Sequence, residues 1–103
     1  MWLNWSDPAL ADLDSIYEFI ARDAPNYASC FVEQLLNAVS RLEIFPYSGR
    51  TVPEANSIDI REVIFQGYRI MYWIIDDQRI DIIAVIHGSR DLSNAVNQPW
   101  EVD

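Results

Sequence analysis

Ile60-Arg61-Glu62-Val63-Ile64-Phe65-Gln66-Gly67-Tyr68-Arg69-Ile70-Met71-Tyr72-Trp73-Ile74-Ile75-Asp76-Asp77-Gln78-Arg79-Ile80-Asp81-Ile82-Ile83-Ala84-Val85-Ile86-His87 is the stretch whose reading decides the fold. It is dense in Ile, Val, Tyr, Phe and Trp, side chains that suit a pleated, half-buried surface. Its breaks carry turn residues. Ile60 to Phe65 reads as a strand, Gln66-Gly67 as a turn or bulge, and Tyr68 to Ile75 as a second strand. Asp76-Asp77-Gln78 is a turn and Arg79 to His87 a third strand. Connections this short make the three an antiparallel meander.

Upstream the period changes. Residues 46–58 carry Pro46, Gly49 and Pro53 without periodicity and read as a loop. Before it lie two helical patterns. Ser6-Asp7-Pro8 is a cap followed by proline in the first turn, and Ala9, Leu13, Ile16, Tyr17 and Ile20 form one apolar stripe. Pro25 ends that helix and opens the next, whose stripe is Ala28, Phe31, Val32, Leu35, Val39 and Leu42, up to about Phe45. The short break predicts an antiparallel helix hairpin. Residues 2–5 alternate large and polar groups and predict a strand at the meander's edge. The expected class is α+β, with an N-terminal strand and a helix hairpin packed on an antiparallel meander. Residues 1–103 are expected to form one domain, with 92–103 a loose C-terminal tail.

The chain has 103 residues, seven arginines, no lysine and sixteen acidic residues, a net charge of −9. Half of it is hydrophobic, with four Trp, five Tyr and four Phe, which supplies a core. Such an acidic surface repels polyanions, so the chain alone is not expected to bind DNA, whereas a basic protein would be attracted. The one cysteine, Cys30, permits no internal disulfide and no cysteine metal cluster. It falls on the polar side of its helix with Asn26, Glu33, Asn37 and Arg41. No apolar run is of spanning length, and the N-terminus lacks the charged and apolar regions of a signal peptide. The cytoplasm is the expected compartment. No metal and no cofactor are expected: there is one histidine, no phosphate loop and no dinucleotide fingerprint.

Residue parity assigns the meander's faces. Ile60, Ile64, Tyr68, Ile70, Tyr72, Ile74, Ile80, Ile82, Ala84 and Ile86 are expected against the helices. Arg61, Val63, Phe65, Arg69, Met71, Trp73, Arg79, Asp81, Ile83, Val85 and His87 are expected on the opposite face, which has no helical layer of its own. Two covers suit that mixed face: a partner chain, or the tail folded across it with Trp100. Arg61, Arg69, His87 and Arg90 are its cationic candidates. An arginine in a central strand must be paired, so Arg69 either bridges a carboxylate such as Glu54 or Glu62 or serves as a binding group. His87 ends a strand, where an imidazole can reach solvent and move protons.

The order strand, helix hairpin, loop and meander resembles the RelE/ParE superfamily, the toxins of bacterial type II toxin–antitoxin modules. The resemblance covers about residues 3 to 92. It rests on Trp5-Ser6 with Ala9 and Asp12-Leu13, Ile16 through Ile20-Ala21, Pro25 with Ala28, Phe45-Pro46 with Gly49-Arg50, and Val52-Pro53-Glu54. It continues through Ile60-Arg61-Glu62-Val63, Tyr68-Arg69-Ile70 with Tyr72, and Val85-Ile86-His87-Gly88 with Arg90. The His-Gly-x-Arg ending is similar to the ParE branch.

The resemblance implies a growth-inhibiting toxin in a hetero-oligomer with a cognate antitoxin. In the ParE branch it implies inhibition of DNA gyrase by protein binding, without catalysis; the residues expected to dock, from the mixed face and its cationic set, are Arg61, Arg69, His87, Arg90, Phe65, Met71 and Trp73. In the RelE branch it would imply a ribosome-dependent mRNA endoribonuclease, with Arg69, His87, Glu54 and Tyr68 as its catalytic set. A third reading is a module that binds its antitoxin and has lost toxicity. The acidic, lysine-free composition argues against docking on ribosomal RNA. It also predicts that antitoxin binding rests on apolar burial more than on charge.

Overall fold

The computed structural model describes residues 1–90, 92 and 98–101. Its elements in chain order are β1 (Trp2–Trp5), α1 (Asp7–Ala21), α2 (Pro25–Ser40) with a 3-10 turn at Arg41–Glu43, β2 (Arg50–Thr51), β3 (Ile60–Phe65), β4 (Tyr68–Ile74) and β5 (Arg79–His87). The sheet order is β1-β5-β4-β3-β2. β1 runs parallel to β5 and every other pair is antiparallel, so the meander sits inside a mixed sheet. β2 lies within the segment expected as a loop. Two residues are too short for a period to show in sequence.

Local chemistry sets the helices. The Ser6 hydroxyl accepts from the Ala9 amide at 3.2 Å, satisfying one orphan donor of α1. Pro25 opens α2. Ala9, Leu13 and Ile16 of α1 and Phe31, Leu35 and Val39 of α2 are buried with Ile70, Tyr72, Ile80 and Ile82 of the sheet. Tyr17, expected in the α1 stripe, stands at its margin and is exposed. Cys30 is exposed, as its helical position predicts.

The expected faces need two corrections. The β3–β4 hairpin closes through Gln66 (φ 45°) and Gly67 (φ 86°), a two-residue turn with both residues left-handed. Phe65 therefore pairs with Tyr68, and odd numbers on β3 share a face with even numbers on β4. Arg61, Val63 and Phe65 turn toward the helices, and Ile60, Glu62 and Ile64 turn away. On β5, Met71 pairs with Ala84 but Tyr72 with Ile82, which leaves Ile83 as a bulge. Beyond it the alternation inverts. Val85 and His87 join the helix side, while Ala84 and Ile86 face outward. An α1 carboxylate satisfies the displaced backbone: Asp12 Oδ2 accepts from the Val85 amide at 3.0 Å. Burial raises the Asp12 pKa against the lowering effects of that bond and of Arg90.

The outer face carries a second core. Val52, Ile60, Met71, Ala84, Ile86 and Leu92 are buried there, with Ala55, Trp73, Ile83 and Trp100 packed against them. Of the two covers, the described part of the tail, with Trp100, is the one observed. The rest of the segment expected to be a loose tail lies outside the described residues.

Candidate functional site

The cationic candidates do not share a face. Arg69 projects outward from β4. Its Nε donates to Glu62 Oε1 at 2.5 Å, and its two terminal nitrogens donate to Glu54 at 3.0 and 2.8 Å. Glu62 is fully buried, and its other oxygen accepts from Arg50 Nε at 2.7 Å. The result is a chain of alternating charge, Arg50–Glu62–Arg69–Glu54, across β2, β3, β4 and the 50s loop. Bidentate pairing of this kind fixes a guanidinium in place. Bonds to Glu54 first, and then to Glu62, push the Arg69 pKa further up. The Arg69 bond in turn draws the Glu54 carboxyl below its ordinary range. Arg69 thus realises the bridged arrangement with both expected carboxylates at once.

Arg61 lies on the opposite face and serves the loop before β2. It donates to the carbonyls of Ile58 at 2.8 Å and Gly49 at 2.9 Å, and its guanidinium carbon sits 4.8 Å from the Tyr47 ring centroid. Beside it the Tyr72 hydroxyl donates to the Pro46 carbonyl at 2.7 Å and accepts from the Gly49 amide at 3.0 Å. Burial raises the Tyr72 pKa.

His87 is exposed at the end of β5. Its ring meets Tyr68 edge-on at 5.4 Å, and Tyr68 packs on Phe31. The Ser89 amide donates to His87 Nδ1 at 3.2 Å and the Ser89 hydroxyl lies 2.6 Å from it. An Nδ1 that accepts leaves the proton on Nε2. Arg90 is exposed just beyond. Phe65 is half-buried beside Phe31 at 5.4 Å, Met71 is fully buried, and Trp73 is partly covered. The proposed docking set is therefore divided between two faces and the interior.

The proposed catalytic set is divided as well. Glu54 and Arg69 lie on the outer face, and Tyr68 and His87 on the helix side. The structure brings together two pairs and not one constellation. Among the described residues, no group of three or more His, Cys, Asp or Glu is placed to hold a metal. No helix among them is long and apolar enough to cross a membrane.

Sequence reasoning missed a groove between α2 and β3, of about 820 Å³. Leu42, Phe45, Val63 and Phe65 line it, with Arg41 and Arg50 at its margin. β2 reaches no further than Arg50, opposite Glu62, so the outer edge of β3 at Ile64 meets no strand among the described residues. Such an edge offers backbone donors and acceptors to an added chain. The signal present in sequence was Phe45 together with Val63 and Phe65, but only the corrected register brings them together.

The fold is that of a known toxin–antitoxin component. A chain from a solved structure described as the chromosomal ParDE TA system from P. aeruginosa superposes with a TM-score of 0.71 at 22% identity, covering 84% of this chain and 95% of that one. No curated protein is similar in sequence. At the level of family the match is direct: the chain belongs to the ParE toxin family of type II toxin-antitoxin systems, parDE, whose model matches residues 3–92. Membership of a two-component module implies a cognate antitoxin as partner.

Proposed function

We propose that this chain is a growth-inhibiting toxin that acts by docking on a protein, with DNA gyrase as its target, and that its antitoxin neutralises it by seating a segment in the α2/β3 groove. The observation that carries this reading is the engagement of Arg69 by two carboxylates. A guanidinium already held by Glu54 and Glu62 is poorly placed to bind a transferring phosphate, and Tyr68 and His87 lie across the sheet from it. The ribonuclease reading lacks a gathered site. For the antitoxin, the groove combines an apolar floor with an open strand edge, the two features that an added peptide strand uses. Docking of this kind needs no cofactor, and a gyrase inhibitor works in the cytoplasm.

The test is a supercoiling assay with purified toxin and gyrase. Saturating toxin is expected to abolish supercoiling, and the cognate antitoxin to restore it. Full supercoiling at saturating toxin contradicts the target. Codon-linked mRNA cleavage in a translating extract would favour the nuclease, and normal growth on expression alone would favour the non-toxic module.

A further inference from the structure

We propose that the end of the molecule formed by Tyr47, Ile58, Ile75, Asp59, Asp76 and Asp77 docks a basic polypeptide segment that carries a bulky apolar side chain. This goes beyond the toxin reading and does not depend on gyrase being the target. A depression of about 410 Å³ lies there, floored by Pro46, Tyr47, Ile74 and Ile75, rimmed by the three aspartates and bordered by Met1. Tyr47 is 55% exposed and Ile75 38%, and neighbouring Ile58 is 70% exposed. Large apolar groups left in water on one small area mark an interaction surface.

The patch is held in shape. Arg61 fastens the Ile58 and Gly49 carbonyls and lies over the Tyr47 ring. Asp76 Oδ1 accepts from the amides of Gln78 and Arg79 at 2.8 and 3.0 Å, which fixes the β4–β5 turn. The Asp59 amide is held by the Ser57 hydroxyl, and the Ile74 amide by the Asp59 carbonyl. A preformed surface loses less entropy on binding.

Charge selects the occupant. None of the three aspartates takes part in an ion pair among the described residues. The neighbouring cations are engaged elsewhere: Arg61 at the loop carbonyls, the Met1 ammonium at the Glu43 carbonyl, and Arg79 at the Asp81 carboxylate. The surrounding protein carries a net charge of −9. A guanidinium or ammonium on the partner meets a favourable potential at the rim while an apolar side chain fills the floor. A second copy of this chain is disfavoured, because a two-fold contact would oppose identical aspartates. An anionic membrane surface is repelled for the same reason.

The experiment titrates the isotope-labelled full chain with short synthetic peptides, followed by NMR. One alternates arginine and leucine, one glutamate and leucine, and one arginine and glycine. The arginine–leucine peptide is expected to shift resonances of residues 47, 58–59 and 74–77, and both controls to bind more weakly. Asp59→Asn/Asp77→Asn is expected to weaken that peptide roughly tenfold, the summed effect of two exposed charge contacts. Shifts centred instead on the α1 carboxylates Asp14 and Glu18 would overturn the proposal. So would equal binding of the arginine–glycine peptide, or undiminished binding by the double variant.

Discussion

Replacing Glu62 by alanine is expected to lower stability by about 3–5 kcal/mol, the range for removing one partner of a buried ion pair. Glu62 is 1% exposed and joins two arginines through its two oxygens. Without it, the buried Arg69 keeps only Glu54, at the rim of the site. Arg50 is well exposed and can return to water, so the loss falls on Arg69. A domain of this size has about 5–15 kcal/mol in total, so the variant approaches the edge of folding. Thermal denaturation followed by circular dichroism should show a fall in Tm of about 15 °C or more, at roughly 4–8 °C per kcal/mol. A change of only a few degrees would mean that Glu62 does not hold Arg69.

Gly49→Ala is expected to destabilise the fold by about 3 kcal/mol, from overpacking and a disrupted hydrogen bond together. A Cβ at this position would lie 2.6 Å from both the Glu62 carbonyl oxygen and the Tyr72 hydroxyl, and 2.9 Å from a Tyr72 ring carbon. Two of these are atoms of a central strand side chain with no exposure, and the third is backbone, so neither neighbour can move aside cheaply. Relief would separate the Gly49 amide from the Tyr72 hydroxyl and shift the carbonyl that Arg61 holds. Chemical denaturation should show a lower midpoint with an unchanged m-value. An unaltered midpoint would show that the loop from Pro46 to Arg50 is not fastened through Tyr72.

The helices and the three long strands were legible because their periods are long enough to read. Capping at Ser6, the proline at 25 and the run of β-branched residues all act locally. The faces of the sheet were less so. Straight counting through residues 60–87 fails twice, at the Gln66-Gly67 turn and at Ile83, since each changes which residue opposes which. Both events are matters of strand register, which residue alternation does not determine. The site inherited the error: Arg61 and His87 were placed beside Arg69, and lie across the sheet from it. An arginine in a central strand needs a carboxylate, and both of the expected ones, Glu54 and Glu62, are in contact with it. The groove along α2 could not be read, because its floor joins Leu42 and Phe45 to residues some twenty positions later, according to the register.

On the proposed function, Arg69 organises the sheet and growth arrest resides in docking surfaces elsewhere. Arg69→Met/Glu62→Leu separates these roles, because an apolar pair of similar volume can replace a buried ion pair with little loss of stability. The measurement is growth of bacteria expressing the variant without antitoxin, beside wild type, with Tm and antitoxin binding recorded on the purified proteins. The expected result is a folded, antitoxin-binding variant that arrests growth as wild type does. A variant with wild-type Tm and antitoxin binding that no longer arrests growth would contradict it and return Arg69 to the functional site.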